Sequence, residues 1–191
     1  EGAIIRLSYG WGNGFDVQAK RNISECKRLG IPFGVYVFSY AESAADGASE
    51  GADVVNLLRQ AGVNPGDLSY PVFYDLENWT YTGHKSPTSP SVYDGMVNSW
   101  YGKLQAAGYN NLSVYSYTSY LNSALNSSNI HGPLGRPVWL HHAVHRVPHE
   151  RPRLAVHERR LHQRHFRSRG YECVRQLSIH SRGSDNLGLS L

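Results

Sequence analysis

Two acidic side chains, Asp75 and Glu77, follow the apolar and aromatic run 71–74 and stand two positions apart. If this run is a β-strand, both side chains leave the same face, with Cα atoms roughly 6.6 Å apart at ~3.3 Å rise per residue. Glycoside hydrolases use such pairs of carboxyl groups, one of which protonates the leaving oxygen of the sugar. A solvated strand end or a cation site would show the same spacing, so the pair alone leaves these alternatives open.

Aromatic residues accompany the acidic pair near the predicted strand ends. Their rings are amphipathic and suit stacking on the faces of sugars, although some of them must belong to the core. The candidate substrate-binding residues are Tyr9, Tyr36, Tyr40, Trp79, Tyr115 and Tyr117. A cleft lined by such rings beside two carboxyl groups favours a carbohydrate substrate.

Four apolar stretches alternate with helical patterns and would position these side chains. The predicted strands begin near residues 3, 33, 71 and 112, and a polar loop follows the third. One helix separates each strand from the next, which implies right-handed crossovers and a parallel sheet or barrel. In such folds chemistry gathers at the carboxyl ends of the strands.

The predicted helices have recognisable boundaries and inward faces. Glycines Gly30, Gly62 and Gly108 are the expected stops, and Ser89-Pro90 is the expected start of the third helix. In the second helix, over 43–61, the apolar periodicity predicts an inward face of four residues, Ala48, Ala52, Val55 and Leu58.

The charge of the chain is unevenly distributed. The 191 residues carry a net charge of +4, yet residues 1–132 have net charge −3 and residues 133–191 net charge +7. Because the basic charge lies in the tail, it favours no nucleic-acid partner for the first part. No apolar run approaches the ~20 residues of a membrane-spanning helix.

Four motifs between residues 3 and 125 resemble successive strand motifs of the glycoside hydrolase family 25 lysozymes, in order and at suitable spacings. The motifs are 4–10 (IIRLSYG), 34–41 (GVYVFSYA), 71–77 (PVFYDLE), and 107–109 (AGY) before 114–119 (VYSYTS). The likeness extends to about residue 131. These lysozymes are N-acetylmuramidases with an irregular (β/α)5β3 barrel related to the TIM fold, so the resemblance implies an α/β architecture of that kind.

The resemblance also implies an activity and roles for the residues. The reaction would be hydrolysis of the β-1,4 bond between N-acetylmuramic acid and N-acetylglucosamine in peptidoglycan. Glu77 would be the general acid, and Asp75 would orient the acetamido group or stabilise the oxocarbenium-like charge. Tyr36, Tyr40 and Tyr115 would contact the sugar. Whether the acetamido oxygen or a carboxylate attacks is left open.

The same resemblance implies partners and location. The expected partner is bacterial peptidoglycan, and the expected protein is a monomer that is secreted or lies in the cell wall. It implies no cofactor, no metal, no nucleic acid and no membrane partner. His141, His142, His145 and His149 could be drawn as a metal cluster, but no Cys or acid completes a recognised spacing.

The chain departs from the family pattern at both ends. Family members begin with a further strand and helix, and they close the barrel with three short strands that nothing after Gly132 resembles. We therefore expect one catalytic domain over residues 1–132, incomplete at its N-terminus, followed by an aberrant tail.

The tail, residues 133–191, has the composition of a coding sequence read out of frame. It has eleven Arg, no Lys, many His and Pro, and no helix or strand periodicity. Synonymous codons for residues 152–173, read from the second base, encode RGWQYTSGGSINGISGAVDMNA, which is similar to the family's ending. We expect an out-of-frame, disordered tail, and sequencing across the codons for 130–135 tests this.

Two other functions remain open. A chitinase-like or endo-glucosaminidase barrel also ends a strand in Asp-x-Glu, but such strands carry further aspartates where this chain has Val72 and Tyr74. A catalytically inactive carbohydrate-binding remnant is the alternative from another class, since an unclosed barrel would expose strand edges.

Overall fold

The computed structural model describes the backbone of residues 2–131, 138–141 and 171–174, and the side chains of residues 2–130. Strands and helices alternate through the first part of the chain, as the sequence predicts. The elements in chain order are β1 (Gly2–Tyr9), α1 (Ala19–Leu29), β2 (Phe33–Phe38), α2 (Ala44–Gln60), β3 (Val72–Asp75), β4 (Thr80–Tyr81), β5 (His84–Lys85), α3 (Pro90–Ala106), β6 (Leu112–Tyr117), α4 (Thr118–Leu121), α5 (Ser128–His131), β7 (Val138–His141) and β8 (Tyr171–Val174).

The main sheet has six strands in the order β7-β6-β3-β2-β1-β8. Strands β1, β2, β3, β6 and β7 are parallel, and β8 is antiparallel to β1. Each of the first four parallel strands is joined to the next by a segment that contains a helix, which confirms the predicted α/β architecture with a parallel sheet. The predicted helix stops at Gly30, Gly62 and Gly108 all have positive φ.

Two strands lie in the basic tail, where the sequence analysis predicts no regular structure. Strand β7 adds to the parallel sheet beside β6, and β8 pairs with β1. The apolar run 138–140 can form a ladder although Arg and His dominate the tail around it. The prediction of no regular structure is therefore wrong at these eight positions. The predictions of disorder in the rest of 133–191 and of a shifted reading frame concern residues outside the described ones.

The two faces of the sheet have different surroundings. Alternate side chains such as Ile5, Val35 and Tyr74 point toward the helices and are buried there. Asp75 points to the other face, which we call the site face. None of the helices within residues 2–131 has the length and apolar character that a membrane crossing requires.

Helix α2 packs on α3 through a face that matches the predicted one only in part: Val55 and Leu58 are buried as predicted, and Ala48 is half-buried. Ala52 is exposed, whereas Gly47, Glu50 and Gly51 are buried together with the apolar residues Val54, Leu57 and Leu58. The two glycines explain the difference, because a Cβ at Gly47 would lie 2.7 Å from the Met96 carbonyl oxygen. Helices can approach this closely only where one of them has glycine at the contact. The glycine stripe of α2, which hydrophobic periodicity does not count toward an inward face, is therefore the part that packs on α3.

Gly47→Ala is expected to destabilise the protein by about 1–3 kcal/mol, because the added methyl group must push α2 away from α3. Gly102→Ala is the matched control: it makes the same change in an exposed helix position with nothing within 4 Å of the added carbon. That control should stabilise by about 0.5–1 kcal/mol. Urea unfolding of both variants measures the two effects, and equal effects would contradict the close packing.

Candidate active site

The acidic pair lies at the carboxyl edge of the sheet. Asp75 is the last residue of β3, and in the ladder it pairs with Phe38 of β2 and Tyr115 of β6. Paired residues of parallel strands point to the same face, so these three side chains share the site face. Asp75 is buried, at 5% exposure, while Glu77 is half-buried two residues beyond it. One carboxyl is thus shielded and the other is open to a substrate.

Strand β6 holds the Glu77 carboxyl and the segment that carries it. The Tyr117 hydroxyl donates a hydrogen bond to Glu77 Oε2 at 2.7 Å. The Leu76 amide donates to the Tyr115 carbonyl at 2.9 Å, and the Ser116 hydroxyl donates to the Leu76 carbonyl. The position of Glu77 therefore depends on a strand about forty residues away in the chain.

Three of the predicted aromatic residues form one group with a residue that sequence reasoning missed. The aromatic cluster consists of Tyr9, Phe38, Tyr40 and Trp79. The Tyr40 ring lies 5.1 Å from the rings of Phe38 and Trp79 and 6.4 Å from that of Tyr9, all edge to face. Tyr9 and Tyr40 are partly exposed. The cluster offers a wall of ring edges and faces of the kind that suits a sugar.

Tyr36 and Tyr115 are half-buried and project to the site face, Tyr36 in register with Arg6. Arg6 was not predicted as a site residue; its guanidinium binds Asp16 through Nε and Nη2, at 2.8 and 2.6 Å. Burial acts to lower the pKa of Arg6, but the hydrogen bond and charge of Asp16 outweigh it and raise that pKa. A positive charge is therefore held close to Tyr36.

The predicted polar loop after β3 contains a short hairpin, β4-β5, that turns at Gly83. At its base the Ser86 amide donates to the Trp79 carbonyl at 3.0 Å. At its tip His84 Nδ1 lies 2.6 Å from Glu42 Oε1, in the segment that follows β2. The hairpin thus fixes Trp79 against the end of β2, which a reading by strand and helix periodicity does not detect.

Within residues 2–130 no three His, Cys, Asp or Glu side chains are grouped so that they could hold a metal ion. The histidines considered as a cluster in the tail have side chains outside this range. Cys26 is buried in α1, and burial raises the pKa of its thiol.

The family model of the glycosyl hydrolases family 25 matches residues 1–165 of the chain. The likeness therefore extends beyond residue 131, where the sequence analysis places its end, into the first part of the basic tail. Among solved structures, the modular autolysin LytC from Streptococcus pneumoniae is 36% identical with a TM-score of 0.61, over 66% of this chain and 29% of LytC. LytC has also been solved in complex with a synthetic peptidoglycan ligand. No curated protein sequence matches the chain.

Two more distant structures support the fold alone. The bacterial lysozyme from Streptomyces coelicolor is 18% identical with a TM-score of 0.55, over 73% of this chain and 62% of the lysozyme. The muramidase from Trichobolus zukalii is 16% identical with a TM-score of 0.53, over 72% of this chain and 63% of the muramidase. The chain spans less than two thirds of the length of each of these proteins.

Proposed function

This chain belongs to glycosyl hydrolase family 25, and on that premise we propose that it is a muramidase that hydrolyses the β-1,4 bond between N-acetylmuramic acid and N-acetylglucosamine in peptidoglycan. The observation that carries the proposal is the acidic pair at the end of β3, with Glu77 held by Tyr117 at 2.7 Å. The partner is bacterial peptidoglycan, and the protein acts as a monomer outside the cell or in the cell wall.

The two carboxyl groups have different roles in the proposed reaction because their surroundings differ. Glu77 is accessible and is the general acid that protonates the leaving glycosidic oxygen. Asp75 is shielded on the site face beside Phe38 and Tyr115, and in the proposed reaction it is a fixed acceptor that orients the acetamido group or balances the developing positive charge. The aromatic cluster binds neighbouring sugars of the glycan.

The new reducing end identifies the bond that is cut. Purified peptidoglycan is digested with the protein, reduced with borohydride, and analysed by mass spectrometry. Reduced N-acetylmuramic acid supports the proposal, whereas reduced N-acetylglucosamine identifies a glucosaminidase. Binding to peptidoglycan without any new reducing ends would instead support the inactive carbohydrate-binding protein.

Tyr117→Phe is expected to lower kcat by about 5- to 10-fold, the size of one lost hydrogen bond to a carboxyl group that acts in the reaction. KM should change little, because the ring remains. Tyr70→Phe is the matched control, since Tyr70 lies against Gly34 near the start of β2, at the other end of the strands. Release of reducing ends measures both variants, and equal rates for Tyr117→Phe and the control would contradict the orienting role of Tyr117.

A further inference from the structure

A carboxylic acid is buried on the helix side of the sheet, opposite the acidic pair. Glu50 of α2 has 0% exposure, and all its hydrogen bonds go to the ends of two strands. Its Oε1 accepts from the Tyr40 amide at 2.8 Å. Its Oε2 accepts from the Ser39 hydroxyl at 2.8 Å and from the Tyr74 hydroxyl at 2.6 Å.

A carboxyl group in this place requires an explanation, because burial of an acid is costly unless hydrogen bonds offset it. Burial is the largest influence and raises the pKa of Glu50 to about 7, against the hydrogen bonds from Tyr74, Ser39 and Tyr40, which lower it. The charge of Asp46, one turn earlier in α2, raises it further. An apolar side chain would fill the same space without this cost. The hydrogen-bond partners of Glu50 therefore indicate why an acid is buried here.

The segment Ser39–Ala41 lies just beyond the last ladder pair of β2, Phe38 with Asp75. Its amides have three acceptors: Ser39 donates to the Asp75 carbonyl at 3.0 Å, Tyr40 to Glu50, and Ala41 to the Ser39 hydroxyl at 3.2 Å. Glu50 supplies one acceptor and holds the hydroxyl that supplies another. The Asp75 backbone, in contrast, is paired on both sides by β2 and β6.

We propose that Glu50 is a positioning residue that holds the segment Ser39–Ala41 from behind the sheet and so presents the Tyr40 ring to the glycan. The inference rests on the proposed function, since it assigns Tyr40 to binding of the substrate. Tyr40 is the centre of the aromatic cluster, because Tyr9, Phe38 and Trp79 all contact its ring. Release of the segment would therefore loosen the whole cluster while Asp75 stays in place.

Two substitutions at this position separate the hydrogen bonds from the charge. Glu50→Gln keeps every contact, because its carbonyl oxygen can accept from the Tyr40 amide and its NH₂ group can donate to both hydroxyls. Glu50→Leu fills a similar volume but leaves the Tyr40 amide without an acceptor. Leu104→Ala, in the core of α3, is a control for destabilisation alone.

Hydrogen exchange tests the positioning without any need for activity. In Glu50→Leu the Tyr40 and Ala41 amides should exchange at least about tenfold faster, while the Leu76 amide, bound to the Tyr115 carbonyl, serves as the internal standard and keeps its rate. Glu50→Gln should match the unmodified protein. Unchanged exchange at Tyr40 in Glu50→Leu would overturn the proposal.

Kinetics on peptidoglycan test the consequence for binding. Glu50→Leu should raise KM by about 5- to 10-fold with little change in kcat, and Glu50→Gln should restore KM. Leu104→Ala should change neither at a temperature where it is folded. A fall in kcat alone, or an unchanged KM, would overturn the assignment of Glu50.

No hydrolysis by the unmodified protein would refute the proposed function, while hydrogen exchange still decides whether Glu50 holds the segment. If Glu50→Leu does not fold, Ser39→Ala replaces it, with faster exchange expected at Ala41.

The pH dependence of stability provides a further readout. The pKa of Glu50 is about 7 in the folded protein and 4.5 ordinarily, so the stability that its proton contributes is full below about pH 4.5 and is lost as the pH rises through 7. The Tyr74 hydroxyl from β3 and Asp46 from α2 are the titratable groups that face it. Glu50→Gln should lack this loss between pH 4.5 and 7, and urea unfolding across that range measures it. An identical pH dependence in both proteins would contradict the titration of Glu50 in this window.

Discussion

Hydrolysis of peptidoglycan is expected to fall by about 100- to 10,000-fold in Glu77→Gln, because an amide cannot deliver a proton to the leaving oxygen. The substitution preserves the size of the side chain, and the amide oxygen can still accept the hydrogen bond from Tyr117. The fold and the binding of the glycan should therefore survive. The measurements are loss of turbidity, release of reducing ends and thermal unfolding.

Glu25→Gln is the matched control for this loss. Glu25 lies on α1, where it forms an ion pair with Arg28 at 2.7 Å, remote from the acidic pair in the chain. The same chemical change there should leave hydrolysis unaltered. Hydrolysis that survives Glu77→Gln would refute the assignment of Glu77 as the acid.

The free energy of unfolding is expected to fall by about 3–5 kcal/mol in Trp100→Ala. Trp100 is fully buried in α3, where it stacks on Tyr74 with ring centroids 4.7 Å apart and planes 5° from parallel. Its ring centroid also lies 5.5 Å from that of Tyr101, and its backbone lies next to Gly51 of α2. A typical domain has only about 5–15 kcal/mol of stability, so this single side chain accounts for a large fraction.

Trp100→Phe is the control that separates the stacked ring from the full volume of the indole. A phenyl ring can still lie against Tyr74, so we expect the loss to be less than half of that in Trp100→Ala. Urea unfolding followed by circular dichroism measures both variants. Equal losses would show that the stack on Tyr74 contributes little.

The predictions of strands and helices are correct where the physical cause is a local pattern of residues. The strands at residues 3, 33, 71 and 112 are apolar runs, and the helix stop at Gly30 follows from a φ of 64° that other residues adopt with strain. The burial of Val55 and Leu58 in α2 also follows from periodicity. Such features depend on neighbours within a few positions, so the sequence alone is sufficient.

The prediction failed where contacts between distant elements decide the outcome. The inward face of α2 is wrong at Ala52 because Gly47 and Gly51 permit a close approach to α3. The burial of Glu50 follows from the same approach, combined with acceptors that are needed at the end of β2. Hydrophobic periodicity predicts that an acidic residue is exposed, and it cannot detect a hydrogen-bond partner that lies on another strand.

The sequence by itself determined the family, the order of the first four parallel strands and the helices between them, and the two carboxyl groups at one strand end, because motif spacing and the period of a strand are local properties. Only the tertiary structure decided that Tyr117 holds Glu77 and that Tyr40 joins Tyr9 and Trp79 in one cluster. Only the tertiary structure showed a buried acid behind them. The physical reason is that hydrogen bonds and ring contacts form between side chains about forty residues apart, which only the ladder of the sheet brings into register.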